Sequence, residues 1–261
     1  MVLTLVNQKG GVGKTTTAVN LSAYLAAAGN KVLLIDVDPQ ANASAGVGIK
    51  VLDTEQHLYH LLFEPSLVDG IVRKTAVQNL HLVPSHGDLA GANIDLVNVE
   101  SREYKLQRLV EVLRPYYDYI LIDCPPSLGL LTINALVAAD QLLIPVQAEY
   151  YALEGLGQLL NTIHLIQNNL KSNLGILGAV ITMFDSRNRL SQAVRGELEQ
   201  YFPNKLMKTI IPRNVKLAEA PSFGQPVMLY DPYSKGAEAY RDLAQELLSI
   251  INNINYVNPN G

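Results

Sequence analysis

Cysteine occurs once in the 261 residues, at Cys124, which excludes an internal disulfide and any metal site built from several thiolates. No apolar stretch reaches the roughly 20 residues that a bilayer-spanning helix needs. No lysine or arginine follows Arg241, whereas Glu238, Asp242 and Glu246 all lie in the last helical pattern, which argues against a basic membrane-surface helix. Internal repeats, low-complexity linkers and abrupt shifts of composition are also missing. The first apolar run opens at Val2 and leaves no leader ahead of it, so the expectation is a soluble cytoplasmic protein. A formal net charge of −4 gives no overall attraction to nucleic acid, although it says nothing of local patches. With 48% hydrophobic residues, the chain can build one large α/β domain over residues 1–251, with the asparagine-rich 252–261 as a frayed tail.

What is present begins at residues 9–16, Lys-Gly-Gly-Val-Gly-Lys-Thr-Thr. They follow Val2-Leu3-Thr4-Leu5-Val6, a short β-rich run of the kind buried on both faces. They precede a helical pattern that starts at Lys14 and stops at Gly29. Strand, glycine-rich turn and helix N-terminus together make an anion cradle, in which backbone N–H groups and the helix dipole converge on phosphates. Gly10, Gly11 and Gly13 are expected to allow close approach and positive φ, with Val12 between them. Lys14 is placed to reach the β/γ-phosphates of a nucleoside triphosphate, Thr15 to ligate Mg²⁺, and Thr16 to extend the cradle.

Two strand ends carry carboxylates. Val32-Leu33-Leu34-Ile35 is followed by Asp36 and Asp38, and Tyr119-Ile120-Leu121-Ile122 by Asp123. In a parallel sheet the carboxyl ends of strands line the ligand crevice. Asp123 has the position of a Walker B aspartate and is expected to contact Mg²⁺ through water. Cys124 beside it reads as a small packing residue. Further strands are expected at Lys31–Ile35, His81–Pro84, Gln141–Val146, Ile176–Met183 and Met207–Ile211. Helices are expected near 101–113, 152–168, 188–201 and 236–251, the last with Tyr240, Leu243, Ala244, Leu247, Leu248 and Ile251 on one stripe. This alternation predicts an α/β fold with a mostly parallel central sheet and helices on both faces.

The loop departs from the general P-loop pattern in having Gln8 where glycine is usual and a second lysine, Lys9, at its opening. That form resembles the deviant Walker A loop of the ParA/MinD superfamily of dimeric ATPases. Asp36-Val37-Asp38-Pro39-Gln40 resembles the ParA Walker A′ segment, and Ile210 to Pro226 resembles the ParA/Soj stretch that packs on the adenine side. The resemblance runs from residue 2 to about residue 250 and fits Soj-like partitioning ATPases best. It implies that Asp38 organises the attacking water and the metal shell, with Asp36 as a structural carboxylate. It also implies that Pro212 and Arg213 flank the base, with Met183 or Phe184 as a further wall. Two subunits would clamp two ATP molecules, and Lys9 of each would reach the other's phosphates. The ATP-bound homodimer would hold nucleoid DNA, and a ParB-like partner would stimulate hydrolysis and release.

From Lys171 to Arg241 ten Lys and Arg face six Asp and Glu, a local excess of four that leaves the rest of the chain at −8. Charge alone fits a phosphate-backbone footprint and a solvated helix face equally. The family resemblance favours sequence-independent DNA binding, with Arg189, Arg195 and Lys216 as candidate contacts. The helix-turn-helix extension that some relatives carry before the first strand has no counterpart here. The alternative reading is a MinD-like membrane-positioning ATPase. A nitrogenase-reductase-type protein would need paired cysteines, and a dethiobiotin synthetase-like ligase would need a small acceptor.

Overall fold

Seven strands form the central sheet of the computed structural model, which describes residues 1–149 and 152–257. They are β1 (Val2–Leu5), β2 (Val32–Asp36), β3 (Arg73–Lys74), β4 (Leu80–Val83), β5 (Tyr119–Asp123), β6 (Gln141–Gln147) and β7 (Gly175–Thr182), ordered β3-β4-β2-β5-β1-β6-β7. Every pairing is parallel except β3 against β4. All residues of β1, β2 and β5 are buried, which explains why they read as unbroken apolar runs. Alternate side chains serve opposite faces. Val32 and Leu34 join Leu21, Tyr240 and Leu243 on one face, whereas Leu33 and Ile35 join Leu61, Leu109 and Leu131 on the other. A third cluster packs Ile144 and Ile181 against Leu159, Val194 and Leu198. The expected α/β architecture is the one observed.

The expected strand over Met207–Ile211 does not form. Its backbone touches β7 only at Met207, which donates to Ala179 O at 2.8 Å, and at Ile211, which donates to Ile181 O at 2.9 Å. Between these points the Lys208 and Thr209 amides donate to the Glu246 carboxylate at 2.7 and 2.9 Å. A side chain on the last helix thus satisfies donors that a strand would have given to the sheet. That helix runs Lys235–Val257, so the expected tail at 252–261 is helical through Val257, and 258–261 lie outside the described residues. The helix expected from 101 begins at Lys105, after a 3₁₀ turn Arg102–Tyr104. The other long helices span Lys14–Ala27, Ala152–Asn169 and Arg189–Tyr201. No helix among the described residues is long and apolar enough to cross a membrane.

Candidate functional site

β1 lies between β5 and β6, and its carboxyl end opens into the loop 6–13. Asn7 fastens the start of that loop. Its side-chain amide donates to Pro145 O at 2.8 Å, and its Oδ1 accepts the Lys9 N–H at 2.9 Å. The far end is held by Thr182, whose hydroxyl donates to the buried Val12 carbonyl at 2.7 Å. Gly11 and Gly13 adopt φ of 73° and 86°, where a side chain would be strained. Gly13 sits at the N-terminus of the helix Lys14–Ala27, and its carbonyl accepts from Thr17 N at 2.9 Å. Gly10 departs from the expectation. It has no positive φ, and a Cβ there would meet Pro126 Cβ at an ordinary 3.7 Å, so its backbone does not require glycine. Asn7 and Thr182 gave no sign in the sequence because their partners are backbone carbonyls far along the chain.

The charged groups below the loop are almost dry. Lys14 is buried, with Nζ donating to Lys9 O at 3.1 Å, and desolvation lowers its pKa against the opposing pull of Asp123, Cys124 and Asp38. Asp36 accepts from Ser44 N at 2.8 Å, Ser44 Oγ at 2.7 Å and Asp38 N at 3.2 Å. Burial raises its pKa to about 6 despite those bonds. With its lone pairs so occupied, Asp36 acts as a brace. Asp123 differs: it is fully buried, and neither carboxylate oxygen has a hydrogen-bond partner. Burial, then Asp36, pushes its pKa well up; the nearby Thr15 hydroxyl and Lys14 oppose this without closing a well-formed bond to it. Buried polar atoms left unpaired are uncommon and call for a partner. A hard cation taking oxygen ligands fits Asp123 and the Thr15 hydroxyl beside it.

Asp38 completes this end of the site, with Oδ1 accepting the Gln40 N–H at 3.0 Å. It lines a cavity of about 600 Å³ together with Gly10, Gly11, Lys14, Thr15 and Thr16. An adjoining cavity of about 210 Å³ is lined by Pro212 and Arg213, with Gly13, Thr16 and Met183 shared between the two. Met183 has φ 52°, a left-handed conformation that costs a methionine of order 1–3 kcal/mol. The neighbouring Phe184 does not line this cavity; it packs against the third core cluster, and its carbonyl accepts the Arg213 N–H at 3.1 Å. The last helix reaches the same place, since Tyr240 OH and Thr17 Oγ1 are 3.0 Å apart. Lys9 is not part of the large cavity. Its Nζ lies 3.4 Å from Glu149, which Arg213 also approaches at 3.8 Å.

The three basic candidates are scattered. Arg189 and Arg195 are exposed on the helix Arg189–Tyr201, and Arg195 pairs with Glu199 at 3.2 Å. Lys216 belongs to the short helix Val215–Glu219, paired with Glu219 at 2.9 Å and lying 5.6 Å from the centre of the Tyr230 ring.

Comparison with known proteins bears on this geometry. Residues 1–176 match the AAA domain family. Over 246 residues the chain is 55% identical to the sporulation initiation inhibitor protein Soj of Bacillus subtilis, covering 94% of this chain and 97% of that one. It is 49% identical to the chromosome partitioning protein ParA of Myxococcus xanthus, over 95% of this chain and 87% of that one. The chain belongs to the Soj/ParA family. Its Soj/ParA fold is also similar to cobyrinic acid a,c-diamide synthase from Mycobacterium smegmatis, a structure with bound ADP and magnesium. There the identity is 36% and the TM-score 0.83, covering 96% of this chain and 95% of that one.

Proposed function

We propose that this chain is an ATPase that moves DNA, carried by a single domain over residues 1–251. Two copies clamp two ATP molecules face to face, the ATP-bound dimer holds nucleoid DNA without regard to sequence, and hydrolysis releases it. A ParB-like partner stimulates that hydrolysis. The observation that carries the reading is the orphaned, fully buried Asp123 beside Thr15 and Lys14, directly under the loop 9–16. Loop amides and the helix N-terminus receive the phosphates, and Lys14 exchanges its bond to the Lys9 carbonyl for the β/γ-phosphate oxygens. Thr15, Asp123 and Asp38 would hold Mg²⁺, which would supply charge compensation on the phosphoryl group. Met183, Pro212 and Arg213 enclose the base. Asp38 orients the attacking water. Replacing it leaves the cradle intact, so Asp38→Ala should bind ATP but turn over at least about tenfold more slowly, and its ATP dimer should accumulate. Phosphate release at the wild-type rate would move that role elsewhere.

For DNA, the expected footprint is electrostatic. Arg189→Glu and Arg195→Glu should weaken retention of any duplex alike, each lost contact reducing the log–log salt slope by about 1. Lys216→Glu places two carboxylates together at Glu219, so its effect mixes lost attraction with local repulsion. Binding should require ATP, because dimerisation doubles the number of cations presented. The test is retention of random duplex across a salt titration, with and without ATP. Salt-insensitive binding, or equal binding without nucleotide, would overturn the DNA reading, and ATP-dependent flotation with anionic vesicles would point to a MinD-like role instead.

A further inference from the structure

Outside the nucleotide crevice, the loop before the helix Leu58–Phe63 meets the loop after β4. His57, His86 and Asp88 come together there, each offering one donor atom, all within 4.8 Å of one another. His57 Nε2 lies 3.7 Å from Asp88 Oδ2, and His86 Nδ1 lies 3.3 Å from the same oxygen. Donors bound to tetrahedral zinc at about 2.0–2.1 Å are separated by roughly 3.3–3.4 Å, so small side-chain rotations close the set. We propose that His57, His86 and Asp88 form a binding site for a divalent ion of the zinc class, distinct from the magnesium position at Asp123 and Thr15.

Two further observations favour an ion here over a chance cluster. Asp53 Oδ1 lies 3.2 Å from His86 Nε2, the nitrogen that faces away from the cluster. A carboxylate on the outer nitrogen is the arrangement that fixes the tautomer and orientation of a metal-bound imidazole. With Nε2 carrying the proton, the Nδ1 lone pair faces Asp88, where its present partner is the Asp88 amide at a long 3.3 Å. The second observation is the burial of His57: its side chain is 2% exposed, and its Nε2 has Asp88 Oδ2 at 3.7 Å, too long for a hydrogen bond. Asp88 is largely exposed and leaves the fourth position open to water. Two nitrogens and one carboxylate suit zinc, cobalt or nickel better than magnesium or calcium, which favour all-oxygen shells.

An ion at this point would tie residues 53–57 to 86–88. The adjacent Ser85 donates its amide to Ser44 Oγ at 3.1 Å, and Ser44 holds Asp36, so the tether would end one hydrogen-bonded step from the strand-end carboxylates.

The proposal is tested by titrating the full chain with Co²⁺, with MgADP present to occupy the crevice, and then displacing the cobalt with Zn²⁺. One cobalt per chain is expected, with the strong visible absorption of a four-coordinate site that zinc abolishes. His86→Ala and the exposed Asp88→Ala should remove the band, whereas His164→Gln, on an exposed helix surface, should leave it unchanged. Asp53→Asn should keep the stoichiometry and weaken affinity by about 10- to 100-fold. Absence of a saturable four-coordinate band, or a band that survives both His86→Ala and Asp88→Ala, would overturn the assignment. Neither variant replaces the buried His57 itself, and circular dichroism separates loss of the site from loss of the fold.

Discussion

Lys14→Ala should weaken ATP binding by at least about thirty-fold. Lys14 is buried beneath the loop, and its only hydrogen bond there is to a carbonyl of the loop itself. Its ammonium is therefore already desolvated and poised for phosphate. Truncating one partner of a desolvated charge pair costs about 2–5 kcal/mol. That is a loss of roughly thirty-fold to several-thousand-fold in affinity. The acidic groups beside Lys14, Asp123 and Asp38, would also lose their countercharge. Calorimetric titration with MgATP measures the loss, and a thermal melt controls for the fold. Unchanged affinity would refute the assignment of this loop.

Lys9→Ala should give the opposite division of effects. Lys9 is one-third exposed, lies outside the large cavity and, among the described residues, is held through Glu149 and its own backbone. Exposed ion pairs of that kind contribute little to stability, and Arg213 remains to accompany Glu149. ATP should therefore bind the single subunit nearly as before. If Lys9 serves its partner's phosphates, the ATP-dependent dimer should disappear in sedimentation velocity. Hydrolysis should fall by a factor comparable to loss of an arginine finger, about 10³ to 10⁵. A normal ATP dimer in this variant would contradict a role across the interface.

The parts of the molecule that could be read beforehand are those whose signal is local. A buried parallel strand is an apolar run whatever surrounds it, and left-handed turns at Gly11 and Gly13 announce themselves by residue type. Asp123 was legible because the strand end that carries it is fixed by the run before it. The unreadable parts depend on distant partners. Nothing near Lys208 and Thr209 says that Glu246 will take their amides, and Met207–Ile211 reads as a strand for that reason. Asn7 and Thr182 behave likewise, as polar residues whose roles come from carbonyls across the sheet. Met183 lines both cavities while its neighbour Phe184 packs against the third core cluster, a division that the two residue types do not announce. The meeting of His57 with His86 depends on two loops being adjacent in space, and sequence spacing does not encode that adjacency.

The placement of β1 has a consequence for how the chain is made. Its neighbours are β5 and β6, so the amide of Val2 must wait for the carboxylate of Asp140, 138 residues later. Thr17, in the helix that carries the phosphate loop, waits longer still, for Tyr240, 223 residues on. At translation rates of about 5–20 residues per second, that separation amounts to roughly 10 to 45 seconds. Until Tyr119 is made this segment has neither of its strand partners, and until Tyr240 is made it lacks the helix that braces it. The nucleotide cradle, though encoded ahead of the strands and the helix that flank it, is therefore completed only when they arrive, and a ribosome-bound fragment carries the signature without the site.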